Sequence, residues 1–122
     1  MRTYIVSDEP QLRSAIQFLL DHQPHIKIVA DIDKQKLLLA QIEASQPELI
    51  MLDWDMFGQA TVDLLTNLCV LPKRPKILVL SLRSDVEQLA LQAGADLFFN
   101  KGDSPEKLVT ILGNFGQKEV SL

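Results

Sequence analysis

Five short apolar runs, Thr3–Val6, Ile26–Ala30, Leu49–Leu52, Ile77–Leu80 and Leu97–Phe99, recur along the 122-residue chain with helical spacing between them. This alternation limits the possible folds more than any other feature. Unbroken runs rich in Ile, Val and Leu suit strands covered on both faces, the setting of a parallel sheet. Between the first two runs, Leu12, Ala15, Ile16, Leu19 and Leu20 fall at i, i+3, i+4, i+7 and i+8, one face of a helix. Leu38 and Ile42 form a weaker stripe after Asp33, a suitable N-cap. Val62, Leu65, Leu68 and Cys69 form a third. Val86, Leu89, Ala90 and Ala93 form a fourth, opened by Ser84-Asp85-Val86-Glu87 in the capping-box pattern and closed by Gly94. Leu108, Ile111, Leu112 and Phe115 form a fifth, with Ser104 as N-cap and Pro105 in the first helical position. Five βα units predict an α/β three-layer sandwich, a five-stranded parallel sheet with helices on both faces.

Val70–Pro75 reads as a loop, because neither Pro72 nor Pro75 suits a helix interior or a central strand. The amphipathic pattern stops near Gly116, so residues 1–116 are expected to form one domain and 117–122 a tail or the start of a linker. No apolar run approaches the roughly 20 residues that cross a bilayer, and no secretory leader is expected before the acidic turn at Asp8. The single cysteine, Cys69, permits no intramolecular disulfide. A net charge of −4 argues against direct nucleic-acid binding. The expectation is a cytoplasmic domain with no membrane contact.

If the sheet is parallel, the polar residues after each run gather on one edge. Ser7, Asp8 and Glu9 follow the first run, Asp53 and Asp55 the third, Ser81 the fourth and Lys101 the fifth. Crowded carboxylates repel unless a cation joins them. Hard oxygen ligands without His or Cys favour Mg2+ over zinc. A lysine and a hydroxyl beside them suit the charge on a phosphoryl group. The edge therefore reads as a carboxylate–Mg2+–lysine pocket that handles phosphate.

Five segments, Ser7-Asp8-Glu9-Pro10, Leu52-Asp53-Trp54-Asp55-Met56, Leu80-Ser81, Ala93-Gly94-Ala95-Asp96 and Phe98-Phe99-Asn100-Lys101, occur in order and in register. Together they resemble the receiver domain of two-component response regulators. The resemblance implies a flavodoxin-like (βα)5 fold of strand order 2-1-3-4-5, with the site at the switch point between strands one and three, Asp8 beside Asp53. It implies that Asp53 is the phosphoacceptor, a nucleophile supplied by a sensor histidine kinase or phosphotransfer protein. Asp8, Asp53 and the Asp55 carbonyl would hold Mg2+, with Glu9 a further candidate ligand. Lys101 would pair with the acceptor and then with phosphoryl oxygens, Ser81 would bond the phosphoryl group, and the Phe98 ring would swing inward as Ser81 moves. The face of the fourth helix, fifth strand and fifth helix would report the change to an output domain or partner protein, or to a second copy in a homodimer. Enzymatic activity would be limited to self-phosphotransfer and autodephosphorylation.

The chain departs from the family pattern at Ser7, where a second acidic residue is usual, at Phe57, at Thr61 and at Gly102. The segment Lys101–Glu106 resembles receivers that precede a helix-turn-helix output domain. Two rival readings follow from the same residues. Asp53-Trp54-Asp55 matches the nucleophile motif of haloacid-dehalogenase-type phosphatases, though that motif usually follows the first strand. The departures also fit an unphosphorylated receiver that works only in docking. Trp54 is expected at the pocket rim, Cys69 in the core, and His22 and His25 in a solvated loop with no role.

Overall fold

The computed structural model describes residues 2–7, 9–20, 27–31 and 35–120. Its strands are β1 (Arg2–Val6), β2 (Lys27–Asp31), β3 (Leu49–Asp53), β4 (Lys76–Ser81) and β5 (Leu97–Asn100). Its helices are α1 (Pro10–Leu20), α2 (Gln35–Ser45), α3 (Ala60–Cys69), α4 (Glu87–Gln92) and α5 (Pro105–Val120). A single helical turn, Trp54–Phe57, leaves β3 directly. The sheet is parallel throughout: β1, β3, β4 and β5 lie side by side in that order, and β2 runs along the outer edge of β1.

Alternate strand residues feed two separate cores, as the period of a β-strand requires. Tyr4, Val6, Ile50, Leu52, Ile77 and Val79 pack against Leu38 and Ile42 of α2, Leu64, Leu65 and Leu68 of α3, and Ala90 of α4. On the opposite face, Ile5, Leu49, Met51, Leu78, Leu80 and Phe99 pack against Ile16 and Leu20 of α1 and Leu108 and Leu112 of α5. All five residues of β3 are buried, which explains why its run carries no polar alternation. Each Leu or Ile buried in this way contributes about 1.5–3 kcal/mol relative to exposure. That layering anchors β3 from both sides and fixes where its last residue, Asp53, emerges.

Local structure departs from the sequence expectations at several points. Ser84–Val86 forms a 3-10 turn with no side-chain cap, and α4 begins only at Glu87. The Ser84 hydroxyl instead accepts a 2.7 Å hydrogen bond from Asn100 Nδ2, so no capping box forms. Trp54 is buried, only 2% exposed, and packs into the core under α2, α3 and α4 rather than lining a rim. Helix α5 runs on to Val120 although its apolar stripe ends near Phe115, because backbone hydrogen bonding needs no amphipathic face to continue. Asp33, His22 and His25 lie outside the described residues.

Candidate functional site

Parallel pairing brings four strand ends to one edge. Val6 pairs with Leu52, Asp53 with Leu80 and Ser81 with Asn100, so Ser7, Asp53, Ser81 and Lys101 emerge together. Asp53 is fully buried, 0% exposed. A bare buried carboxylate is strongly disfavoured, and this one has three partners. Its Oδ1 meets Lys101 Nζ at 2.7 Å and accepts the Asp55 N–H at 3.0 Å. Its Oδ2 accepts the Ser7 hydroxyl at 2.7 Å. The Asp55 N–H bond also makes Asp53 the N-cap of the turn Trp54–Phe57. That turn closes at Gly58, whose positive φ of 59° and N–H bond to the Trp54 carbonyl redirect the chain into α3.

Lys101 is the hub of the pocket. Its side chain is 5% exposed and also contacts Asp55 Oδ2 and Glu9 Oε1, each at 3.1 Å. Burial alone would lower its pKa, but the bonds to Asp53, Asp55 and Glu9 outweigh that and raise it. The ammonium therefore stays charged. The Lys101 N–H donates to the Ser81 carbonyl at 2.9 Å, tying the end of β5 to the end of β4.

Asp55 does more than the sequence suggested. Its Oδ1 accepts the Ser81 hydroxyl at 2.7 Å and its Oδ2 accepts the Leu82 N–H at 3.0 Å. Burial pushes its pKa up, yet the Leu82, Ser81 and Lys101 interactions win and hold it below the usual carboxylate range. The Ser81 hydroxyl thus points to Asp55 and not to Asp53, and its oxygen accepts the Arg83 N–H at 3.0 Å.

Glu9 is half-exposed and sits on Lys101. Phe98 and Phe99, indistinguishable in sequence, face opposite ways. Phe99 is buried against α1 and α5, whereas Phe98 is half-buried on the other face of the sheet. Ser7 is the residue whose contact sequence reasoning missed. Its signal was its position, one residue past β1 and level with the end of β3. Asp8 lies outside the described residues. Among those described, no group of three or more His, Cys, Asp or Glu is spaced to hold a metal ion. No described helix is long and apolar enough to cross a membrane.

Such a pocket, a buried carboxylate locked to a lysine at the C-terminal edge of a parallel sheet, invites comparison with known proteins. The nitrate/nitrite response regulator protein NarL of Escherichia coli (strain K12) is 28% identical over 120 residues, covering 97% of this chain and 56% of NarL. The sensory transduction protein LytT of Enterococcus faecalis (strain ATCC 700802 / V583) is 25% identical over 112 residues, covering 92% of this chain and 46% of LytT. The chain thus spans about half the length of these curated relatives.

Among solved structures, the response regulatory domain of protein mrkE from Klebsiella pneumoniae superposes with a TM-score of 0.88 at 18% identity, covering 100% of both chains. The signal receiver domain of the putative response regulator NarL from Mycobacterium tuberculosis gives 0.82 at 21% identity, covering 95% of each. At such identities the structures speak for the fold alone, which is flavodoxin-like. The family profile of the response regulator receiver domain matches residues 3–113, nearly the whole chain. The chain belongs to that family, the receiver domains of two-component response regulators.

Proposed function

We propose that Asp53 is the phosphoacceptor of this receiver and that Lys101 and Ser81 serve the transferred group. The observation that carries the reading is the 2.7 Å contact between the buried Asp53 carboxylate and the buried Lys101 ammonium. A carboxylate oxygen of Asp53 attacks phosphorus as the P–N bond of a donor phosphohistidine breaks, and the electron pair leaves with the imidazole, which takes up a proton. Lys101 follows the charge from the carboxylate to the phosphoryl oxygens. Ser81 has one hydroxyl proton, spent here on Asp55. It bonds the phosphoryl group only after leaving Asp55 Oδ1, while the Leu82 N–H has its own acceptor in Asp55 Oδ2. The face formed by α4, β5 and α5, with half-buried Phe98 behind it, carries the change outward.

The pocket's hard oxygens favour Mg2+ over a softer ion, although the described carboxylates do not by themselves form a metal-binding group. Asp53, Asp55 and Glu9 place three carboxylates around one ammonium, an all-oxygen set with excess negative charge. Asp8, Asp53 and the Asp55 carbonyl would hold the ion, with Glu9 as a further candidate. Bound there, it would neutralise the acceptor and the incoming phosphate. The donor is a sensor histidine kinase or phosphotransfer protein, and the setting is cytoplasmic. The reader of the signal is an output domain or partner protein, or a second copy of the chain. The flavodoxin-like order 2-1-3-4-5, with the site at its switch point, supports this assignment. Activity of its own is limited to self-phosphotransfer and autodephosphorylation.

Incubation with Mg2+ and a small acyl phosphate, read by intact mass, tests the acceptor. One phosphoryl addition is expected on the wild type and none on Asp53→Asn. An adduct that survives Asp53→Asn overturns the choice of residue. No adduct on the wild type, where a control receiver reacts, favours the docking-only reading.

A further inference from the structure

Both oxygens of the Asp53 carboxylate are already satisfied by the chain itself. Oδ1 has the Lys101 ammonium and the Asp55 N–H, and Oδ2 has the Ser7 hydroxyl at 2.7 Å. Ser7 is fully buried, and its own oxygen accepts the Glu9 N–H at 3.2 Å. That second bond fixes the hydroxyl rotor, so its single proton is aimed at Asp53. An acidic side chain in this position would have no proton to give and would set a second negative charge against the first.

We propose that Ser7 is a positioning residue: its neutral hydroxyl holds the Asp53 carboxylate buried and aligned, in a place where a second carboxylate would repel it. The inference rests on the reading of Asp53 as acceptor for its kinetic consequence, but its structural consequence is independent of phosphorylation. Replacing Ser7 by a carboxylate sets two like charges side by side, which a divalent cation would offset. Replacing it by alanine leaves Oδ2 without its donor and lets the carboxylate turn.

Thermal unfolding of the wild type, Ser7→Asp, Ser7→Ala and Ser7→Thr, each in EDTA and in excess Mg2+, separates these cases. Mg2+ is expected to raise the Tm of Ser7→Asp by at least about 4 °C more than that of the wild type, the shift of a domain this size for one lost pairwise interaction. With a small acyl phosphate and Mg2+, Ser7→Ala is expected to phosphorylate about tenfold more slowly than the wild type at unchanged far-UV circular dichroism. Ser7→Thr, which keeps the hydroxyl, recovers most of the rate. A Tm response to Mg2+ as large in the wild type as in Ser7→Asp overturns the proposal, as does a wild-type rate in Ser7→Ala. If Ser7→Asp folds in neither buffer, the rates of Ser7→Ala and Ser7→Thr decide. If the wild type takes no phosphoryl group, the acceptor reading falls and the Tm comparison still judges Ser7.

Discussion

At the residue scale the pocket is organised around one cation. Lys101 is 5% exposed on its side chain and Asp53 is 0% exposed, so neither charge has water to fall back on. Breaking a buried pair by deleting one partner costs about 3–5 kcal/mol, mostly because the other charge is left uncompensated. Lys101→Ala is therefore expected to lower the unfolding free energy by about that amount in urea denaturation. Asp53→Asn in the same background removes the orphaned charge and should restore much of the loss. The two substitutions are thus strongly non-additive. Strict additivity would mean that the pair is not coupled in the folded state. Glu9 matters less here, since its half-exposed contact with Lys101 is screened by water.

At the scale of elements, the strands were legible because a strand buried on both faces writes itself as an unbroken apolar run. All of β3 follows that rule. The turn Trp54–Phe57 was not legible, because four residues are too few to show a helical period. The Ser84–Glu87 box misled because the Ser84 hydroxyl found a tertiary partner in Asn100, sixteen residues away in sequence. The residue types of the pocket were visible at the strand ends. Their pairings were not, since the Ser7–Asp53 bond joins positions 46 apart. Gly94 shows local and tertiary reasons coinciding. Its place after the fourth stripe suits a helix terminator, and its φ of 121° agrees, but an added Cβ would also run into Cys69 Sγ. Gly58 has a φ of 59° and open space around it. Gly58→Ala is expected to cost strain alone, about 1–3 kcal/mol. Gly94→Ala should cost about 1 kcal/mol more, from displacing the sulfur. Adding Cys69→Ala to Gly94→Ala should recover that increment while leaving Gly58→Ala unchanged, as read from urea midpoints.

Across the whole molecule, the same pocket sets limits on stability at both ends of the pH scale. The Asp55 carboxyl is held below its ordinary value, since the bonds from Leu82, Ser81 and Lys101 outweigh the opposing effect of burial. Its contribution is complete above the unfolded value of about 3.9 and is lost as pH falls through the folded one. Lys101 is shifted the other way: burial opposes its charge, but Asp53, Asp55 and Glu9 raise its pKa. Its contribution is complete below about 10.4 and is lost as pH rises through the higher folded value. Because these groups join the ends of β1, β3, β4 and β5, losing either loosens the edge that holds the sheet's C-terminal side together. Urea unfolding across pH should therefore show a plateau that falls away below about 4 and above about 10.4. Asp55→Asn keeps the side chain's shape and cannot titrate there, so its acid limb should be shallower than that of the wild type, while its alkaline limb loses only Asp55's share of the Lys101 shift and keeps that of Asp53 and Glu9. An acid limb of wild-type steepness in Asp55→Asn would place the acid sensitivity elsewhere in the chain. Loss of most of the alkaline limb in that variant would show that Lys101 depends on Asp55 more than on Asp53, contrary to the shorter contact of 2.7 Å to Asp53 against 3.1 Å to Asp55.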